Sequence, residues 1–352
     1  MSRKWQLHTA SLDDEQQRER QMRSSLQNTA GAQSNSVPFL LPQPGRRGEG
    51  GRRMQGHFQQ GDHRDNEAAD ADGRKVKHNP LVTVITVVFN GVNSLEKTIQ
   101  SVIGQSYPNI EYIVIDGGST DGTIDALRIY EDKLDYWISE PDSGIYDAMN
   151  KGIRASRGDF IGIIGAGDWY EQDAVARVVE TFSNRNADVV YGDVEMVDAE
   201  TALSYRRRSR SELMPKTMSS ISHPTTFAKR SIYLSRLFDT KVRIAADYDL
   251  FLGLYVEGYR FEHSGSVIAH ILTGGVSSSF PTQIEVFKVH QKYYGSFYAA
   301  RQFLPSALRR MFYTGRRAVL KRLLPPAGFA LARTWWLRHK HRKNTKREEP
   351  QA

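Results

Sequence analysis

Up to about residue 78 the chain is polar almost without interruption. From Pro80 it switches to short apolar runs alternating with amphipathic stretches. The run "LVTVITVVF" (81–89) is continuous and β-branched, the pattern of a strand buried on both faces. A helix is expected from Asn93, with Glu96 three residues later as in a capping box and Leu95, Ile99, Val102 and Ile103 on one face. "IEYIVID" (110–116) reads as the next strand, "DGTIDALRIYE" (121–131) as a helix, and "DYWIS" (135–139) as a short strand. A helix from Ser143 carries Ile145, Met149 and Ile153 on one face, and "DFIGIIGAG" (159–167) closes this half as a strand. This alternation implies right-handed crossovers and a mainly parallel sheet flanked by helices, an α/β nucleotide-type fold. Ligands of such sheets bind outside the carboxyl ends of the strands, where Asn90, Asp116 and Asp168 stand. Further on, "VRIAADYDLFLGL" (242–254) reads as a helix with Leu250, Leu252 and Leu254 near its core side.

The flanks have a different texture. Residues 1–78 are rich in Gln, Arg, Gly, Asp and Asn, with only "VPFLL" to bury, and are expected to be disordered. Such a segment is either an inert or regulatory tail or an arginine/glycine arm for RNA. The net charge of +8 is uneven: Arg301–Ala352 hold 14 Lys/Arg against 2 Asp/Glu, which leaves the other 300 residues at −4. A slightly acidic body with a basic tail argues against a body that grips nucleic acid over a broad face. The tail "ALRRMFYTGRRAVLKRLLPPAGFALARTWWLRHKHRKNTKR" (307–347) is broken by Pro325-Pro326. Its Leu, Trp335-Trp336, Arg and Lys suit basic amphipathic helices lying on an anionic membrane surface. A hairpin packed on the domain, or RNA binding, is the alternative. No apolar run reaches the roughly 18 residues of a membrane span, and the N-terminus lacks the apolar core of a signal peptide. The expected location is therefore cytoplasmic and peripheral on the inner membrane. The absence of cysteine excludes disulfides and cysteine-ligated metal centres.

The candidate chemistry is acidic. Gly165-Ala166-Gly167 begins a dinucleotide glycine loop, but Tyr170 stands where the third glycine belongs, and "DGGSTDGT" has no phosphate-loop lysine. Asp168 is then either the cap of the following helix or a metal ligand. Asp247 and Asp249 lie two apart on a helix and cannot share a face. None of the ten histidines has HExxH spacing.

"VTVITVVFN", "IDGGSTDGT", "SGIYDAMNKGIRASRGDFIGIIGAGDWY" and "AADYDL" together resemble the family 2 glycosyltransferases of bacterial polysaccharide biosynthesis, over about residues 80–280. The resemblance implies a GT-A fold spanning 79–295, with a donor half to about 195, an acceptor half from 196, and the basic tail from 296. It implies a nucleoside-diphosphate-sugar donor, with Thr86, Phe89, Asn90, Asp116, Ser119, Asp121, Asn150 and Gly167 around it. Phe89 would lie beside the base and Asp116 would accept its N–H or ribose hydroxyl bonds, while Ser119 and Asp121 fit a turn and a helix cap equally. Many members carry two acids where this chain has Asp116-Gly117, and N-A-D-D where it has Gly165–Asp168. The surviving Asp168 would hold Mg²⁺ or Mn²⁺, which keeps waters and takes one or two carboxylates plus substrate phosphates. His270 is either a second ligand or a structural histidine. Asp247 matches the acceptor-activating base, and His223 and Asp249 fall towards acceptor or sugar, with Asp249 also fitting a structural role. The implied activity is a metal-dependent inverting transfer to a glycan or lipid-linked hydroxyl. The alternatives are an inactive scaffold or a nucleotidyltransferase of similar topology. The basic "RRRSR" (206–210) either meets an anionic lipid diphosphate or acidic glycan, or is solvated.

Overall fold

The computed structural model describes residues 39–41, 43–59, 79–199, 201–273 and 280–323. After a short strand β1 (Gly48–Gly50) and a 3-10 turn (Arg52–Gln55), strands and helices alternate. They are β2 (Val82–Val88), α1 (Val92–Ile103), β3 (Ile110–Asp116), α2 (Thr123–Ile129), β4 (Tyr136–Ser139), α3 (Ile145–Ala155) and β5 (Phe160–Gly165). The second half runs β6 (Trp169–Tyr170), α4 (Ala174–Arg185), β7 (Val189–Val197), β8 (Ser204–Arg207), β9 (Thr226–Lys229), α5 (Arg230–Ser235), α6 (Ala246–Val256), β10 (Phe261–Leu272) and α7 (Phe280–Leu323).

One ten-stranded sheet orders these as β1-β4-β3-β2-β5-β9-β7-β10-β6, with β8 on β7. Strands β4, β3, β2 and β5 are parallel, as are β7 and β10. Strand β9 joins the two parallel sets by pairing antiparallel with both β5 and β7. All seven residues of β2 are buried because helices cover both faces. On one face Ile85, Ile113 and Ile163 pack with Met149 and Leu252, and on the other Val84, Val114 and Ile164 pack with Leu95, Ile99 and Val178. Helix α6 is buried almost all round, so Leu250, Leu252 and Leu254 are all interior without sharing one face.

Several expectations at element ends are corrected. The Asn93–Glu96 capping box does not form, because α1 starts at Val92 after Gly91 with no side-chain cap of its own. Ile103 and Ile145 are exposed, while their helix partners Leu95, Ile99, Met149 and Ile153 are buried.

The larger correction concerns the polar segment before residue 78. Residues 1–38, 42 and 60–78 lie outside the described residues, but 43–59 do not behave as composition implied. Strand β1 pairs antiparallel with β4, and three arginines seat it against acids of the sheet. Arg46 lies 2.9 Å from Glu140, Arg52 lies 2.7 Å from Asp135, and Arg53 pairs with Glu111. Arg53 and Glu111 are both almost fully buried, and Arg53 also donates to the Ala155 carbonyl at 2.8 Å. Glycine is needed for this approach: a Cβ on Gly50 would come within 2.5 Å of the Trp137 indole nitrogen. The segment has little apolar surface, and its order comes from ion pairs with buried carboxylates of the domain.

Towards the carboxyl end, α7 runs through the expected boundary near Gly295, where the backbone leaves the helical region (φ 82°, ψ 168°). Pro325-Pro326 and Trp335-Trp336 lie outside the described residues. Among the described residues no helix is long and apolar enough to cross a membrane.

Replacing Arg53 by alanine strands the Glu111 carboxylate, and an uncompensated buried charge costs roughly 3–5 kcal/mol. Arg128 pairs with Asp125 on the surface, where such pairs contribute at most about 1 kcal/mol. Urea unfolding should therefore separate Arg53→Ala sharply from Arg128→Ala, and equal losses would show that the arm is not anchored by this pair.

Candidate active site

The carboxyl ends of β2, β3 and β5 converge, and the loop after β3 organises the loop after β2. Asn90 (φ 48°) donates its N–H to Ser119 Oγ at 2.7 Å and accepts from Thr120 N at 2.9 Å. The first free amides of α1 find partners on the same loop: Gly91 N meets Thr123 Oγ1 at 3.1 Å and Val92 N meets Asp121 Oδ2 at 3.1 Å. Ser119 and Asp121 thus serve as turn and cap, and the cap belongs to a helix thirty residues earlier in the chain.

Asp116 is fully buried. Its carboxylate accepts from Gly118 N at 3.1 Å, Ser119 N at 2.9 Å, Ser139 Oγ at 2.5 Å, and Ser119 Oγ. The expectation that it contacts a base or ribose therefore meets a carboxylate already filled by its own loop. Thr86 is also interior, bonded to the Tyr112 hydroxyl at 2.9 Å. Asn150 clamps the Phe238 backbone through bonds of 2.9 and 3.0 Å. Neither reaches the site. Phe89 does present its ring outward, 66% exposed. Beside it, a Cβ on Gly117 would lie 2.5 Å from Asp142 Oδ2 and 3.3 Å from Phe89 Cδ2. Asp142 thus fills the space of the second acid that many family members have at this point. Burial raises its pKa, and its Oδ1 accepts from Gly144 N at 2.8 Å.

The turn after β5 is held from α1. Thr98, fully buried, accepts from Gly167 N at 3.0 Å and donates to the Asp168 carbonyl at 2.7 Å. Gly167 has φ 103°, which favours glycine there. Asp168 caps no helix, since β6 follows it and α4 begins only at Ala174. Its carboxylate accepts from Leu272 N at 3.3 Å, and burial pushes its pKa up to about 7. His270, the other expected ligand, has its Nε2 engaged elsewhere. Its Nε2 lies 2.7 Å from Glu171, its ring stacks on Trp169, and Lys97 covers that indole. Among the described residues no cluster of three or more His, Asp or Glu forms a metal cage. What fits a divalent cation is narrower: one half-buried carboxylate, costly to ionise, with an oxygen left free at the wall of a large cavity.

That cavity, of about 850 Å³, is lined by Gly167, Asp168, Tyr146, His223, Asp247 and Arg207, among others. Asp247 Oδ1 lies 3.0 Å from the Tyr146 hydroxyl and 2.9 Å from Tyr248 N. Asp249 points elsewhere, bound by Lys292 Nζ at 2.8 and 2.9 Å. The two acids do occupy different faces. Both ring nitrogens of His223 are buried without a hydrogen-bond partner. Burial lowers its pKa while Asp247 pulls the other way, and Phe238 and Phe251 hold the ring. The cavity thus gathers Gly167, Asp168, His223 and Asp247 of the expected residues. Tyr146 and Arg207 were missed as site residues. Tyr146 stands inside the quoted "SGIYDAMNKG" but looked like an ordinary amphipathic-helix residue, and Arg207 was one of four arginines in a basic run.

A profile of the family described as "Glycosyl transferase family 2" matches residues 83–240. An uncharacterized glycosyltransferase of Mycobacterium tuberculosis is 44% identical over 108 residues, covering 30% of this chain and 41% of that protein. The chain thus spans well under half of that relative. In fold it is similar to S. aureus TarS 1-349 in complex with UDP-GlcNAc (TM-score 0.51, 16% identity, 70% of this chain and 77% of that one). It is also similar to the mannosyltransferase PcManGT of Pyrobaculum calidifontis in complex with GDP-Man and Mn²⁺ (TM-score 0.50, 18% identity, 73% and 80%).

Hydrogen bonds to a charged acceptor contribute roughly 1.5–3 kcal/mol. Asp116→Ala should therefore lower the unfolding free energy by at least about that much, read from thermal and urea melts. A variant as stable as the parent but unable to bind nucleotide would return Asp116 to the ligand.

Proposed function

We propose, on the match of residues 83–240 to glycosyl transferase family 2, that this chain transfers a sugar from a nucleoside-diphosphate sugar to an acceptor hydroxyl with inversion. The observation that carries this reading is that Asp168 and Asp247, far apart in sequence, line one cavity. The two structural neighbours bound to UDP-GlcNAc and to GDP-Man with Mn²⁺ support the donor class and a divalent metal.

Asp168 would hold Mg²⁺ or Mn²⁺, which when bound neutralises the charge that develops on a departing nucleoside diphosphate. Gly167, lacking a side chain, lets that diphosphate approach the turn, and Thr98 keeps the turn in place. The exposed Phe89 ring stacks on the base, and Asn90 and Asp142 stand beside it as polar partners. At the acceptor end, Asp247 keeps Oδ1 engaged with Tyr146 and Tyr248 N, which orients Oδ2 to take the proton from the acceptor hydroxyl. The acceptor oxygen bonds to the anomeric carbon as the bond to the diphosphate oxygen breaks. His223, whose ring burial keeps neutral, offers one donor and one acceptor to sugar hydroxyls. A lipid-linked acceptor would suit the basic carboxyl-terminal tail, whose membrane role is checked by sedimenting the full chain with anionic vesicles at low and high salt. Binding indifferent to salt would remove it.

A panel of sugar nucleotides screened for thermal stabilisation with Mn²⁺ identifies the donor. With that donor, Asp168→Asn should abolish metal-dependent stabilisation. Asp247→Asn should keep it and lose transfer by about 10²–10⁴-fold. Transfer surviving in Asp168→Asn with unchanged metal dependence would overturn the metal assignment. Loss in Asp249→Asn rather than Asp247→Asn would move the base to the other face of α6.

A further inference from the structure

The cavity holds a positive charge for which the described protein supplies no counter-ion. Arg207 ends β8 and faces the cavity. Its neighbour Arg206 lies 2.8 Å from Asp193. In the amino-terminal arm Arg46, Arg52 and Arg53 each meet a carboxylate. Arg207 meets none among the described residues. It donates from Nη2 to the Ser222 hydroxyl, and its Nε is buried with no hydrogen-bond partner. Burial accordingly lowers its pKa, with Tyr205 acting in the opposite direction. A guanidinium partly withdrawn from water without an anion is costly, and the fully buried Arg53 does have its acid, Glu111.

The charge is reinforced rather than offset. Arg243 and Lys216 line the same cavity and are exposed. The described acids on its wall are Asp168 and Asp247, both committed in the proposed reaction. Arg207 belongs to the Asp247 end, because its partner Ser222 immediately precedes His223, which feels the Asp247 charge. The donor diphosphate, by contrast, is placed at the turn carrying Asp168. Resting on the glycosyl-transfer reading, we propose that Arg207, aided by Arg243 and Lys216, forms an anion subsite on the acceptor side. The acceptor then carries a phosphate or carboxylate close to the hydroxyl that receives the sugar. The guanidinium fork matches either group through paired N–H donors. The subsite lies on β8 and the segment after it, where the run of arginines divides its work: Arg206 holds the strand and Arg207 reads the substrate.

The test is calorimetric binding of octyl glucoside, octyl glucuronide and octyl glucoside 6-phosphate to the full chain, with the nucleoside diphosphates UDP and GDP plus Mn²⁺ as a separate arm. The wild type should bind at least one anionic glycoside about ten-fold or more tighter than the neutral one, as a charge-assisted contact implies. The glucuronide and phosphate arms show which anion is read. Arg207→Gln should erase the preference, Arg207→Lys should retain part of it, and nucleoside-diphosphate affinity should stay within about two-fold throughout. Equal binding of neutral and anionic glycosides by the wild type, or a preference that survives in Arg207→Gln, would overturn the subsite. A matching loss of nucleoside-diphosphate affinity would give Arg207 to the donor and overturn its acceptor role. If every sugar nucleotide fails to turn over while Arg207-dependent binding persists, the transfer reaction falls and the anion subsite stands.

Discussion

Strand β2 is the constraint on which the rest of the molecule depends. It is buried on both faces and bonded along both edges to parallel neighbours β3 and β5. Parallel pairing forces three strands to end at the same edge, so the loops after them must share one space. The amides freed where β2 ends are then satisfied by Ser119, Asp121 and Thr123 from the loop after β3. The turn after β5 is tied back by the bond from Ala166 N to Val87 O and by the Thr98 hydroxyl. Asp168 reaches its position through this chain of backbone satisfaction. Residues that look like ligand contacts in a linear reading, Asp116 above all, are occupied in building the platform.

A second theme is how the protein treats buried charge. Glu111, Asp135 and Glu140 are buried in or beside the sheet, and an amino-terminal arm outside the family match supplies the arginines that neutralise them. The arm also braces the site, because Glu140 adjoins the Pro141–Asp142 loop and Lys151 bridges Glu140 and the Pro141 carbonyl at 2.9 Å each. Against this background the uncommitted groups are conspicuous by their location. Asp168 with one carboxylate oxygen free, His223 with two unpartnered nitrogens and Arg207 without an acid all line the same cavity. Unpartnered buried polar atoms also occur away from the cavity, at Trp137 and Tyr170 for instance, so it is the gathering of these three on one wall that singles them out.

The parallel half of the sheet was legible because its strands are continuous β-branched runs and its helices have clean amphipathic faces; "IEYIVID" is a strand to its last residue. That Asp247 and Asp249 point to different faces followed from helical spacing alone. The amino-terminal arm was not legible, since its order rests on ion pairs to acids 58 to 94 residues away in the chain, which composition cannot register. Nor could spacing reveal that Asp142 fills the place beside Gly117, or that Thr86 and Asn150 turn inward to Tyr112 and Phe238. Those outcomes depend on which side chains fold alongside, and local pattern carries no record of that.

Asp168 and Asp247 line one cavity, and the proposed transfer uses them at opposite ends of a single displacement at the anomeric carbon. Proton NMR of the product, compared with a donor of known anomeric configuration, measures this directly. A linkage of inverted configuration is the predicted result. Retention of the donor's configuration would contradict it, because a single in-line displacement at the anomeric carbon inverts that centre.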